Sequence, residues 1–146
     1  MEIRLATLAD EKFVCRLWAM LISYYRKETS PEILKRSFRY AVKHPNKVLI
    51  YIITIEGVVT GTLSLHLGHY STWKDSFYGH LEDLIIDPAY RGQGLAAKLL
   101  QHVIAEARKH ELSRLELNCL EGNNEARQLY EKCGFVTDSI VYEMSL

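Results

Sequence analysis

Apolar and polar positions alternate with two periods along this chain, and the switches between them outline its elements. Ile3 and Leu5 flank Arg4 as a short strand, and Thr7-Leu8-Ala9-Asp10 has the form of a capping box at a helix start. Phe13, Val14, Leu17, Trp18, Leu21 and Ile22 then form one stripe at helical spacing, a pattern that reads as core packing. Ser30-Pro31 suits an N-cap followed by the first helical position, which opens a second helix to about residue 42, before the His44-Pro45-Asn46 turn. Strand periodicity takes over at residues 48–55, turns at Glu56-Gly57 and resumes over 58–67 as a hairpin. Residues 68–77 are polar and aromatic and read as a loop. A third long strand follows over 78–86, closed by Asp87-Pro88.

Residues 94–110 predict a strong helix, with Leu95, Leu99, Leu100, Val103, Ile104 and Ala107 on one face and Lys98, Gln101, Glu106 and Lys109 on the other. A strand over 115–120 comes next, then a turn at Glu121-Gly122 and a short helix begun by Asn123 or Asn124. Gly134 is its natural C′ residue, because glycine enters the left-handed region without steric cost. Residues 135–146 read as a final strand or two. The order β-α-α-β-β-β-α-β-α-β implies a mixed α/β sheet in a single domain over residues 1–146, not regular βαβ winding.

Charge narrows the function classes. Eighteen Lys and Arg balance eighteen Asp and Glu, so no basic excess marks a nucleic-acid binder. Cys15, Cys119 and Cys133 are few, odd in number and far apart, which predicts free thiols in a reducing cytoplasm and no metal site. His66, His69 and His80 have the chemistry of metal ligands, but one strand and one loop rarely form such a site, and they read as polar lining. The N-terminus has no secretory or transit pattern, and the apolar run at 48–55 is too short to span a membrane, so a cytoplasmic protein is expected.

The chemically informative stretch is Asp87-Pro88-Ala89-Tyr90-Arg91-Gly92-Gln93-Gly94-Leu95-Ala96, a strand end, a glycine-bearing loop and a helix start. Such a loop aims several backbone N–H groups at one spot, where the helix dipole adds positive potential for a phosphate; the alternative is an ordinary tight turn. Gly92-Gln93-Gly94-Leu95-Ala96-Ala97 also satisfies a dinucleotide fingerprint, with Glu116 near the place of a ribose-binding acid. That reading requires the first glycine to follow its strand directly, and Pro88-Ala89-Tyr90-Arg91 intervenes.

Arg91-x-x-Gly94-x-Ala96, its approach Leu84-Ile85-Ile86-Asp87-Pro88-Ala89-Tyr90, and the later segment from Asn123 through Tyr130 to Gly134-Phe135 together resemble the GNAT superfamily of N-acetyltransferases. The resemblance covers essentially the whole chain. It implies a twisted, mostly antiparallel sheet of about six or seven strands, splayed near its middle, with helices on both faces. It implies acetyl-CoA as co-substrate, its pyrophosphate on Arg91, Gly92, Gln93, Gly94, Leu95, Ala96 and Ala97, its pantetheine arm along the edge of Leu84, Ile85 and Ile86, and Asn123 on that arm. Tyr130 would pass a proton to the departing thiolate.

The reaction itself asks for such groups. An alkyl amine with a pKa of about 10.4 must lose a proton before its nitrogen can attack, and Glu82 is the candidate base, with His80 on the same strand face as a second. A narrower likeness, Tyr70-Ser71-Thr72-Trp73 followed by Leu81-Glu82-Asp83-Leu84, is similar to the diamine and thialysine acetyltransferase branch. It implies a small di- or polyamine as acceptor, met by Glu82, Asp83, His80 and Trp73. Peptide or protein lysines, aminoglycosides and a non-catalytic acetyl-CoA sensor are the alternatives. Members of this family often exchange elements between copies, so a homodimer is expected.

Overall fold

The computed structural model describes residues 1–146. Five strands form one sheet in the order β1-β2-β3-β4-β5: Glu2–Leu5, Val48–Ile55, Val58–Ser71, Ser76–Ile86 and Leu115–Leu117. The first three pairings are antiparallel and β4 pairs with β5 in parallel, so the sheet is mixed and mostly antiparallel as expected. Helices α1 (Glu11–Tyr24) and α2 (Pro31–Lys43) cover one face. Helix α3 (Leu95–Lys109) covers the other, and Leu129, Tyr130 and Cys133 of α4 (Asn124–Lys132) and its C-cap pack against the same core.

Local chemistry accounts for the boundaries. Thr7 and Asp10 form the anticipated capping box, although it opens a short 3-10 turn, Leu8–Asp10, that runs into α1. Ser30 Oγ accepts from Ile33 N–H with Pro31 at the first helical position, so α2 starts where the N-cap pattern places it. Strand alternation on β2 and β3 supplies both cores. Leu49, Tyr51, Ile53, Leu63 and Leu65 pack against Leu95, Leu99, Leu100 and Val103 of α3. Ile50, Ile52 and Val59 pack against Val14, Leu17, Trp18, Leu34 and Phe38 of α1 and α2.

The sheet has five strands, not six or seven, and the missing ones belong to the C-terminal stretch. Residues 136–146 carry no helix or strand, and no backbone hydrogen bond within the chain involves them. Val136, Ile140, Val141, Tyr142 and Met144 are all exposed. These residues have strand-like composition, but strand geometry requires a partner edge, and this chain folds none against them. Strand β5 is likewise shorter than residues 115–120.

A second correction concerns residues 68–77. The stretch read as a loop is the far end of a long hairpin: β3 continues to Ser71, β4 begins at Ser76, and only residues 72–75 turn. Tyr70 and Phe77 meet edge to face across it, and the Tyr70 hydroxyl donates to Asp75. Aromatic cross-strand pairs are what hold such an arm together, and this pair lies where the sequence looked irregular.

Candidate active site

Strand β4 leaves β5 after three residue pairs, Gly79 to Leu81 against Leu115 to Leu117, so the rest of β4 has no neighbour on that side. This is the expected splay. Its cleft, about 40 Å³, is lined among others by Tyr25, Glu82, Asp83, Leu84, Asn118 and Tyr130. Beyond the splay, β4 runs into the loop that carries Gly92 and Gly94. Asp87 caps a 3-10 turn, Pro88–Tyr90, by accepting from Ala89 N–H at 3.0 Å, and Arg16 of α1 grips its other oxygen at 2.8 Å. Arg91 turns back so that its Nε donates to the Ile86 carbonyl at 3.1 Å.

Gly92 and Gly94 take φ of +78° and +72°, and a Cβ added to either would meet nothing within 4 Å. Gly94 is the N-cap of α3, whose first turn contains no acidic side chain. The helix N-terminus therefore presents uncancelled positive potential toward open space, with Gln93 and the first-turn residues Ala96 and Ala97 beside it. Leu95 is buried in the α3 core, and Ile85 and Ile86 point into the two cores, so these three offer the loop and the strand edge only their backbone.

A bulge sets the acids. Strict alternation would send Glu82 and Asp83 to opposite faces. Instead Thr62 pairs with Ile85 and Ser64 with Glu82, two residues on β3 spanning three on β4, and Asp83 takes a left-handed φ of +59°. Asp83 thereby turns toward the α1–α2 face, where Ser64 Oγ donates to its Oδ2 at 3.1 Å. Burial, and then the neighbouring Glu82 charge, push the Asp83 carboxyl up to about 6. Glu82, half exposed, stands 3.3 Å from His66 Nε2 and 3.5 Å from His80 Nε2.

Tyr130 comes to the same cleft from α4. Burial first, and then Cys119 and Tyr25, push its phenol up to about 12, so it holds its proton at neutral pH. Asn123 is there to cap α4: its Oδ1 accepts from Ala126 N–H at 3.2 Å. Trp73 does not join the others. It sits in the hairpin turn with 97% of its surface exposed. Tyr25, Asn118 and Ser64 are absent from the site residues drawn from the sequence, where His66 reads only as polar lining.

The fold agrees with what the chain is similar to. Residues 14–135 match the Acetyltransferase (GNAT) family. The chain belongs to that family. Thialysine N-epsilon-acetyltransferase of Bos taurus is 39% identical over 70 residues, 48% of this chain and 41% of that protein, so the match spans less than half of that relative. Aminoalkylphosphonate N-acetyltransferase of Salmonella typhimurium is 26% identical over 137 residues, 92% of this chain and 84% of the other. A predicted acetyltransferase from Clostridium acetobutylicum, solved with acetyl-CoA, superposes with a TM-score of 0.82 at 17% identity, covering 99% of this chain and 95% of that one, and shows the shared fold. No helix of this GNAT chain is long and apolar enough to cross a membrane.

Proposed function

We propose that this chain transfers an acetyl group from acetyl-CoA to a primary amine, and that the amine is a small di- or polyamine. The observation that carries this reading is the bulge, which turns Glu82 and Asp83 to one face beside Tyr130, on the strand that runs into the glycine loop. Acetyl-CoA fits the residues present. The open space over Gly92 and Gly94 and the acid-free start of α3 suit a pyrophosphate, and the free edge of Leu84 to Ile86 suits an amide-bearing arm added as a strand.

Bound there, acetyl-CoA supplies an activated carbonyl and a thiol leaving group. The chain supplies the rest. Glu82 and Asp83 attract a cationic acceptor and a second ammonium on it. Glu82 and the imidazoles next to it form a cluster that can take a proton from the attacking nitrogen. Tyr130 Oη holds a proton in the same cleft, ready for the departing sulfur.

Thiol release measured with acetyl-CoA across a panel of amines tests the reading. Diamines are expected to exceed neutral monoamines in kcat/KM, with KM rising at high salt as the attraction is screened. Tyr130→Phe should lower kcat by roughly 10²-fold, the scale of a lost general acid, with acetyl-CoA affinity unchanged. Absence of turnover on every amine would favour a non-catalytic sensor on the same fold.

We further infer a homodimer. The outer edge of β5 has no partner, and Ile140, Tyr142 and Met144 alternate along an exposed segment without backbone partners. The tail of a second copy can complete that edge. Light scattering should then give twice the 16.9 kDa of one chain, and a mass of one chain would reject the pairing.

A further inference from the structure

Most acids in this chain that carry a structural load have an arginine: Asp10 has Arg4, Glu11 has Arg39 and Asp87 has Arg16. Glu82 and Asp83 have none. Apart from Asp83, the ionisable neighbours of Glu82 are His66 and His80, and Asp83 is held by the Ser64 hydroxyl. Two adjacent carboxylates on one face, one of them largely buried, are unfavourable unless a cation arrives from outside.

His66 shows where it arrives. Its Nε2 is shut away from water and has no hydrogen-bond partner, because Glu82 Oε2, 3.3 Å away, does not meet it in hydrogen-bonding geometry. One ligating atom each of His66, Glu82 and Asp83 lies within 4.8 Å of the other two. A primary ammonium points three N–H bonds at tetrahedral angles. With donor–acceptor distances of about 2.9 Å, its three acceptors stand about 4.7 Å apart. All three atoms lie within the 4.8 Å that one ammonium can bridge with its N–H bonds, and the half-exposed Glu82 has the freedom to open its 3.3 Å edge toward His66.

Access is also specific to this imidazole. A groove of about 710 Å³ between α1, α2 and the sheet is lined by Ser64, His66 and Asp83 and runs out past Trp18 and Tyr40. His80 lines neither this groove nor the cleft.

We propose that His66 is the third arm of the acceptor site and its general base: Nε2 accepts a proton from the acceptor ammonium while Glu82 and Asp83 hold the charge. This rests on the reading above that the cleft takes an amine. One ammonium N–H bond breaks, an Nε2–H bond forms, and the lone pair stays on the amine nitrogen. The imidazolium is left between two carboxylates, and because Nε2 is shut away from water its proton leaves by way of the half-exposed Glu82 carboxylate, which meets solvent. Burial holds the imidazole below its ordinary pKa, so it is a neutral acceptor at pH 7. Around it stand Glu82, Asp83 and His80 of β4, His69 of β3, and Arg36 and Tyr40 of α2. The carboxylates favour the charged product, and His69 opposes it.

Two measurements test this. In the first, kcat/KM of the wild type on 1,3-diaminopropane should rise with pH through a pKa below that of an ordinary histidine. His66→Gln should remove that limb and lower kcat by roughly 10²- to 10⁴-fold, with the acetyl-CoA-induced rise in Tm intact. In the second, the imidazole nitrogen NMR signal of His66 in the wild type should move when the diamine is added without acetyl-CoA, which decides the matter even if the variant folds poorly. A His66 signal indifferent to the diamine overturns the proposal, as does an acid limb that survives His66→Gln and disappears in Glu82→Gln. A wild type that acetylates no amine overturns the acetyltransferase reading itself, and this inference with it.

Discussion

Replacing Gly94 by phenylalanine is expected to abolish the rise in Tm that acetyl-CoA gives the wild type. At a hundredfold excess over Kd, a ligand that binds only the native state stabilises it by about 2.7 kcal/mol, which for a chain of this size is a shift of about 5–10 °C. Gly94 caps α3 at φ +72°, and a Cβ there would touch no protein atom. The phenylalanine therefore fills only the space assigned to the pyrophosphate. Its cost to the fold is the left-handed backbone, about 1–2 kcal/mol. Gly57, at φ +79° in the β2–β3 turn and equally free of contacts, supplies the control. Gly57→Phe carries the same backbone strain at a site remote in sequence from the loop, so it should lower the basal Tm and leave the acetyl-CoA shift in place. Equal shifts in wild type and Gly94→Phe would remove the loop from the site.

The loop was legible because its chemistry is local: two glycines, a helix start and the lack of early acids can be read within ten residues. The same holds for Ser30-Pro31 and for the Glu56-Gly57 turn. The acceptor side was only half legible. Glu82 and Asp83 stood out, but the geometry that brings them together is a bulge, and no residue type in Glu82-Asp83-Leu84 announces one. Thr60, Thr62, Ser64 and His66 alternate with apolar residues, the pattern of a strand with one face in water. Helices cover that face, and Thr60, Thr62 and Ser64 are at most 1% exposed. A polar stripe on a strand that helices must sandwich on both sides was the signal that could have found His66. Trp73 was selected by likeness alone, and its place at a hairpin tip depends on strand length, which the aromatic composition of residues 68–77 concealed. The C-terminal strands failed for a related reason, since sequence reports the propensity of a strand and not whether its own chain offers an edge.

Asp83→Asn is expected to make the protein more stable at pH 7 and worse at holding its acceptor. The Asp83 carboxyl is raised from 3.8 to about 6, first by burial and then by Glu82. Between those two values the native state binds a proton that the unfolded chain has lost, so stability falls as pH rises from about 4 through 6 and stays reduced above. A gap of about two pKa units corresponds to about 3 kcal/mol as an upper figure. Asparagine abolishes the penalty without disturbing the site's shape. Its side-chain carbonyl can accept the same bond from Ser64 Oγ, and among non-glycine residues it is one of the most tolerant of the φ of +59° found here. Urea unfolding should therefore show the variant ahead by up to about 3 kcal/mol at pH 7.5 and level with the wild type near pH 4. A difference that does not change with pH would mean the carboxyl is not the source, and a wild type more stable at pH 7.5 would mean a cation already neutralises it. The same substitution should raise KM for a diamine, because the uncompensated charge that weakens the free protein is what the acceptor's ammonium group meets on binding.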